Sequence, residues 1–249
     1  MIYYSMRLLK LTALWLDLII FTVIMYVAAW LPAKCHGRFY FRMFRVWCRA
    51  FVRALDVDLK LHQKNKSPLP GQYILIANHP SAFEDIGIPA LFDVYSLAKV
   101  EVKNWWFVGR ISEAAGTLYV KRESRASRNS AALELQEQIA KGRNIGLYPE
   151  GGCKGRRIFE NFRYGAFDAS IRTGVAILPV FIHYESQDDF EWRDPQTLID
   201  KLMHFLTSQN RTANYYVFDA IDPREFNGKE EFTDHVWQLY MKWQEKYLD

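Results

Sequence analysis

Cysteine is scarce in this chain. Three stand in 249 residues, Cys35, Cys48 and Cys153, and no two share C-x-x-C spacing. An odd, scattered set argues against a disulfide framework and against a zinc site, and it fits a reducing compartment. No G-x-S-x-G occurs, so the serine-hydrolase elbow is missing. No internal repeat or low-complexity tract is evident, which argues against solenoids and disordered arrays. Neither sign of charge dominates, with a formal net charge of +4. Its distribution matters more than its size, and nucleic acid is not among the expected partners.

What is present is apolar and aromatic. Half the residues are hydrophobic and 16% are aromatic, enough to bury a substantial core in one domain with an appendage. Leu11 to Leu31 carries one charge, Asp17, and ends at Pro32. Its eleven Leu, Ile, Phe and Val side chains contribute very roughly −3 to −7 kcal/mol to insertion, against up to about +3 for a central Asp. Insertion as a single span or a re-entrant hairpin is expected, with a buried core helix as the other outcome. The stretch exceeds a signal-peptide core and no small-residue cleavage site follows, so it belongs to the mature protein.

From Gly37 to Leu55, five arginines (38, 42, 45, 49 and 53) recur every three or four residues, opposite Tyr40, Phe44, Trp47, Phe51 and Leu55. That pattern suits a helix in the plane of an anionic membrane, or one packed on the domain. Arg7 and Lys10 precede the apolar stretch, while Lys34 and the arginines follow it. The positive-inside bias therefore favours a catalytic domain on the cytoplasmic face of a membrane.

Tyr73 to Ala77 is short and β-branched, the pattern of a strand buried on both faces. Asn78 and His79 fall at its end, where α/β folds gather ligand and catalytic groups. Pro80 then suits a first helical turn. Glu84 and Asp85 stand five and six positions beyond His79, and either can reach back to one ring nitrogen. Such a carboxylate fixes the tautomer and raises the basicity of the other nitrogen, as a general base for a hydroxyl requires. A second His–acid pair, His183 with Asp188, lacks this setting and reads as a solvated loop.

Beyond the corner, Asp56 to Leu61 alternates as a strand, and Ala90 to Lys103 gives a short strand and a loop. Thr117 to Val120 is a strand closing on Lys121-Arg122, where two cations suit an anion. Ser124 to Lys141 is an amphipathic helix with Ala132, Leu135 and Ile139 on one face. Asn144 to Tyr148 is a strand leading to Pro149-Glu150-Gly151-Gly152-Cys153-Lys154, whose small residues let backbone approach a ligand. Gly165 to Thr173 is helical, and Val175 to Ile182 is a strand in which Pro179 marks an edge, a bulge or an end. Pro195 to Leu206 and Glu230 to Leu248 look helical, with Asn214 to Phe218 a last strand. The late aromatics Trp192, Trp237, Tyr240, Trp243 and Tyr247 suit packing or a lipid interface. The alternation predicts an α/β fold over residues 56–249, a mixed, mostly parallel central sheet flanked by helices, behind an N-terminal membrane segment over residues 1–55.

Four stretches, Asn78-His79-Pro80-Ser81-Ala82-Phe83-Glu84, Gly116 to Arg122, Pro149-Glu150-Gly151-Gly152 and Ile177-Leu178-Pro179-Val180, together resemble the ordered motif blocks of the glycerolipid acyltransferase family. The resemblance covers roughly positions 70 to 185. It implies transfer of a fatty acyl group from acyl-CoA or acyl-ACP to a free hydroxyl of a lysophospholipid or related lysolipid. No metal or other cofactor is implied. By the same resemblance His79 takes the hydroxyl proton, Glu84 (or Asp85) orients it, and Arg122 binds the acceptor's polar head. Glu150 and Gly151 shape the acceptor site, with Asn78, Ser81, Gly152 and Lys154 as further candidates for substrate contact.

Two departures stand out: Glu84 where the family usually has Asp, and Gly152-Cys153 where it usually has Thr-Arg. If that arginine normally grips a phosphate, Lys154 or Arg156 must substitute, or the acceptor is not lysophosphatidic acid. A noncatalytic lipid-binding or scaffold relative is the alternative these departures suggest.

Overall fold

The computed structural model describes residues 2–121, 123–153, 155, 157–193 and 195–249. In chain order the elements are α1 (Ile2–Ala28), α2 (Gly37–Ala54), β1 (Asp58–Gln63), β2 (Ile74–Ala77), α3 (Glu84–Leu91), β3 (Tyr95–Lys99), α4 (Trp106–Ala114) and β4 (Leu118–Val120). There follow α5 (Arg125–Ala140), β5 (Ile145–Leu147), α6 (Gly165–Thr173), β6 (Ile177–Tyr184), α7 (Gln187–Phe190), α8 (Leu198–Thr207), β7 (Thr212–Val217) and α9 (Lys229–Tyr247).

The seven strands form one sheet in the order β1-β7-β6-β2-β5-β3-β4. Every neighbouring pair is parallel except β6 with β7. β2 is central and buried along its whole length, as its uninterrupted apolar run requires. Leu75 and Ala77 enter one core with α1, α2, α3 and α4 side chains. Ile74 and Ile76 enter the other, with side chains of α5, α6 and α9. The alternation along one short strand thus sets the three layers. From α9, the buried Tyr240 hydroxyl lies 3.0 Å from both Ile76 O and Val180 O, tying β2 to β6.

Pro179 lies inside a central strand, so the edge reading does not hold. Ile177 faces Ile221 while Val180 faces Val217, which leaves one extra residue on the β7 side, and the Pro179 carbonyl accepts Phe218 N at 3.2 Å. The missing N–H therefore falls at a bulge.

α1 lays a narrow stripe, including Leu18 and Met25, on α2 and the core, and leaves Leu16, Ile19, Ile20, Val23, Ile24 and Val27 exposed. It is long and apolar enough to cross a membrane. Its N-terminal end is fixed by Arg7, whose guanidinium lies 3.0 Å from Asp56 in the turn after α2.

The apolar face of α2 packs on the domain, the second of the two arrangements its pattern suits. Tyr40, Phe44, Trp47 and Leu55 are buried in the protein, with Tyr40 Oη bonded to Met25 O and Trp47 Nε1 to Thr22 Oγ1. Arg45 donates to the carbonyls of Pro89 and Leu91, and Arg49 to that of Ala90. These are the unpaired last carbonyls of α3, where cations are favourable.

Smaller differences follow the same logic of tertiary contact. α3 begins at Glu84, leaving Pro80 in the preceding loop. A 3₁₀ turn over Val100–Asn104 occupies the end of the expected loop after β3. Ala131, not Ala132, joins Leu135 and Ile139 in the core. His183 is not in a loop; it pairs with Asn214 across β6 and β7.

Candidate active site

Parallel strands β5, β2 and β6 bring three chain segments to one sheet edge. β2 delivers Asn78 and His79, β5 delivers Tyr148 and Glu150, and β6 ends at Tyr184. His79 sits between them with only 6% of its surface exposed.

The carboxylate at His79 is that of Glu84. Its Oε2 lies 2.8 Å from His79 Nδ1 and accepts Ser81 N at 3.0 Å, while Oε1 accepts the hydroxyl of Tyr184. Glu84 has no exposed surface. Burial pushes its carboxyl well above the ordinary range, and the bonds from Tyr184 and Ser81 work against that shift. With Nδ1 donating to Glu84, Nε2 is left with its lone pair. Asp85 instead lines an apolar cleft of about 110 Å³ with Phe44, Trp47, Phe83 and Phe205.

Glu150 fixes the backbone of the same corner. Its Oε1 accepts His79 N at 2.8 Å and its Oε2 accepts Phe159 N at 2.9 Å. Burial raises its carboxyl too, opposed by those two amide bonds. Tyr148 stacks on the His79 ring, centroids 4.0 Å apart and planes 10° apart, so the imidazole is held through its edge and its face.

Asn78 and Ser81 support this corner with their side chains. The Asn78 amide clamps β2 to β6 through Ile182 O at 2.9 Å and Ile182 N at 2.7 Å. Ser81 Oγ accepts Phe83 N at 3.2 Å. Gly151 has φ of 76°, a left-handed conformation that favours glycine. Gly152 follows on the same turn. Arg122 and Lys154, expected at the acceptor, lie outside the described residues.

Several neighbours were not expected beside His79 from the sequence. Cys153 Sγ lies 3.5 Å from His79 Nε2 and 3.3 Å from Ser81 O. Trp192 N donates to Pro80 O at 3.0 Å, so the segment after α7 is tied to the His79 loop. The buried Lys201 ammonium holds the end of α7 by donating to Asp189 O at 3.0 Å and to Glu191 O. These residues are remote from His79 in sequence and carry no local signal. Glu84 does carry one, because Ser81-Ala82-Phe83-Glu84 has capping-box spacing.

On the other side of Tyr148 opens a cavity of about 510 Å³. Leu97, Val120, Leu135 and Leu147 line its apolar wall, with Gly151 and the guanidinium-bearing Arg128 and Arg163 beside them. Among the described residues no His, Cys, Asp and Glu cluster suited to a metal occurs.

The Acyltransferase family model matches residues 58–183, half of the chain, and the chain belongs to that family. Among curated relatives, it is 32% identical over 144 residues to a lyso-ornithine lipid O-acyltransferase of Pseudomonas aeruginosa, covering 57% of this chain and 54% of that protein. It is 26% identical over 136 residues to a 1-acyl-sn-glycerol-3-phosphate acyltransferase of Neisseria meningitidis, covering 55% and 53%. The chain thus spans about half the length of the curated relatives it matches. Its fold resembles the crystal structure of the 1-acyl-sn-glycerophosphate acyltransferase of Thermotoga maritima, with a TM-score of 0.66 at 17% identity over 97% and 96% of the two chains.

Proposed function

We propose that this chain is a membrane-bound lysolipid O-acyltransferase, moving a fatty acyl group from acyl-CoA or acyl-ACP to a free hydroxyl of a lysophospholipid or related lysolipid. The observation that carries the reading is the Glu84–His79 pair, which presents Nε2 as a base at the sheet edge. The acceptor hydroxyl gives its proton to Nε2, and its oxygen attacks the thioester carbonyl. The C–S bond breaks, and the departing thiolate takes the proton back. The Glu84 carboxylate stabilises the imidazolium between these steps, a contribution worth ~10²–10⁴ in rate.

The cavity beside Tyr148 suits the acceptor, since apolar walls take a chain while Arg128 and Arg163 meet an anionic head. The resemblance adds Arg122 and Lys154 there. Gly152-Cys153 in place of Thr-Arg favours a head group other than that of lysophosphatidic acid. The broad apolar face of α1 suits lipid, and the cations after it favour a catalytic domain on the cytoplasmic side. The scaffold alternative loses ground because Glu84 reaches Nδ1 as the usual Asp is expected to.

The test is a mass-spectrometric transfer assay in detergent, offering acyl-CoA and acyl-ACP against lysophosphatidic acid, lysophosphatidylcholine and lyso-ornithine lipid. A diacyl product names the donor and acceptor. No product from any pair, with the protein folded, would refute the reading.

A further inference from the structure

Glu84 stands where the family usually has Asp, and its extra methylene carries the buried carboxylate further from the helix backbone. Oε2 is taken up by His79 Nδ1 and Ser81 N. Oε1 is left for the end of β6, and among the described residues its hydrogen-bond partner is the hydroxyl of Tyr184. An aspartate held at Nδ1 would fall one methylene short of that hydroxyl. The Tyr184 ring is itself fixed on two sides. It has no exposed surface, stacks on Phe190 with centroids 4.5 Å and planes 14° apart, and meets Phe83, the residue before Glu84, at 6.1 Å and 83°. Phe190 in turn stacks on Phe205 of α8 at 4.7 Å. The Tyr215 hydroxyl of β7 is close enough to interact with Tyr184, in space that Gly87 of α3 leaves open by lacking Cβ. Burial pushes the Tyr184 hydroxyl well above its ordinary range, and the Glu84 charge acts the same way, so it stays a proton donor.

We propose that Tyr184 is a positioning residue for the transfer: acting through Glu84, its hydroxyl fixes the longer glutamate side chain with an ionised carboxylate against His79 Nδ1. The proposal rests on the acyltransferase reading above. When Nε2 takes the acceptor's proton, the Glu84 charge stabilises the imidazolium, and a carboxyl that had become protonated would contribute nothing at that step. Burial favours the protonated form, and the Tyr184 bond is the largest influence opposing it. None of the other groups facing the pair bonds Oε1 among the described residues. Asp85 on α3 and Glu150 after β5 are carboxylates, and Tyr148 on β5 stacks on the His79 ring. Tyr215 interacts with Tyr184, and Cys153, with the Lys201 ammonium near it, meets His79. Removing the Tyr184 hydroxyl therefore leaves Oε1 without a donor and raises the cost of the charged form.

The experiment uses the full chain in detergent with the donor and acceptor that give product, and reads kcat, the KM of each substrate and the pH profile of kcat. Tyr184→Phe should lower kcat by roughly 10–100-fold and leave both KM values within a few-fold of the parent. The acid limb of the profile, which belongs to the coupled His79–Glu84 pair, should move to higher pH: with the ionised carboxylate less favoured, the pair releases its proton later as pH rises. Glu84→Asp should also lower kcat. Adding Tyr184→Phe to Glu84→Asp should cost less than about 3-fold more, because the shorter side chain does not reach the hydroxyl and the two losses are not additive. Tyr40→Phe, which likewise loses a buried hydroxyl bond, to Met25 O at 2.8 Å, matches the structural cost and should keep the parent's pH profile. A parent kcat in Tyr184→Phe would overturn the proposal. So would a loss carried by KM, a loss of kcat with the parent's pH profile, or full additivity with Glu84→Asp. These outcomes leave the acyltransferase reading standing. A folded parent that gives no product from any donor and acceptor overturns both.

Discussion

The oxygen of Glu84 that accepts the backbone N–H of Ser81 at 3.0 Å is the same oxygen that holds Nδ1 of His79 at 2.8 Å. One carboxylate therefore fixes the corner that leads into α3 and orients the His79 ring. Glu84→Gln keeps the size but removes the charge that stabilises the imidazolium, and leaves an N–H₂ facing one of three donors. We expect kcat to fall by roughly 10²–10⁴, with Asp85→Asn staying within a few-fold of the parent. Steady-state kinetics on both variants check this. A larger loss in Asp85→Asn than in Glu84→Gln would reverse the assignment.

The buried carboxyls make stability depend on pH with a defined sign. Burial raises the Glu84 carboxyl above its ordinary value of 4.5 and acts in the same direction on Glu150. A group raised in the folded state binds more protons there than in the unfolded chain. Its stabilising contribution is fully present below about 4.5, its unfolded value, and is lost as pH rises through the folded value. The melting temperature should therefore decline across that window, and Glu84→Gln should flatten part of the slope. An identical slope in parent and variant would contradict the burial argument.

Arg45 and Arg49 of α2 act on protein. Arg45 donates to Pro89 O at 3.0 Å, at the end of α3, while Arg42 on the same helix is exposed. A lost bond from a charged donor costs about 1.5–3 kcal/mol, and at ~2–4 °C per kcal/mol in a chain of this size Arg45→Ala should lower the melting temperature by roughly 3–12 °C. Arg42→Ala should change it little. Equal shifts in a thermal melt would remove the capping role.

Ile20 and Ile24 are 60% and 53% exposed on α1. If that face meets lipid, Ile20→Asp with Ile24→Asp costs roughly 2.5–3.5 kcal/mol per residue near the bilayer centre. The doubly substituted protein should then move from the membrane pellet to the soluble fraction after alkaline washing. Unchanged fractionation would contradict the lipid-facing reading.

How much of this was legible in sequence varied with the range of the contact. β2, its corner and the two carboxylates were legible because a buried strand and a five-residue spacing are local. The choice of Glu84 over Asp85 was legible in principle through Ser81-Ala82-Phe83-Glu84, since a glutamate three residues after a serine can fold back on the serine N–H, as Glu84 does here. The arginine stripe was ambiguous, because spaced cations look alike whether they meet phosphates or helix-terminal carbonyls. Cys153 and Tyr184 stand 74 and 100 residues from their partners His79 and Glu84. Only the parallel pairing of β2 with β5 and β6 brings them together.

The most direct test of the account is acyl transfer by the parent and by His79→Ala, at equal protein and matched folding, with the donor and acceptor that give product. The account predicts product from the parent and a loss of ~10²-fold or more in His79→Ala. Transfer by His79→Ala at the parent rate would contradict it.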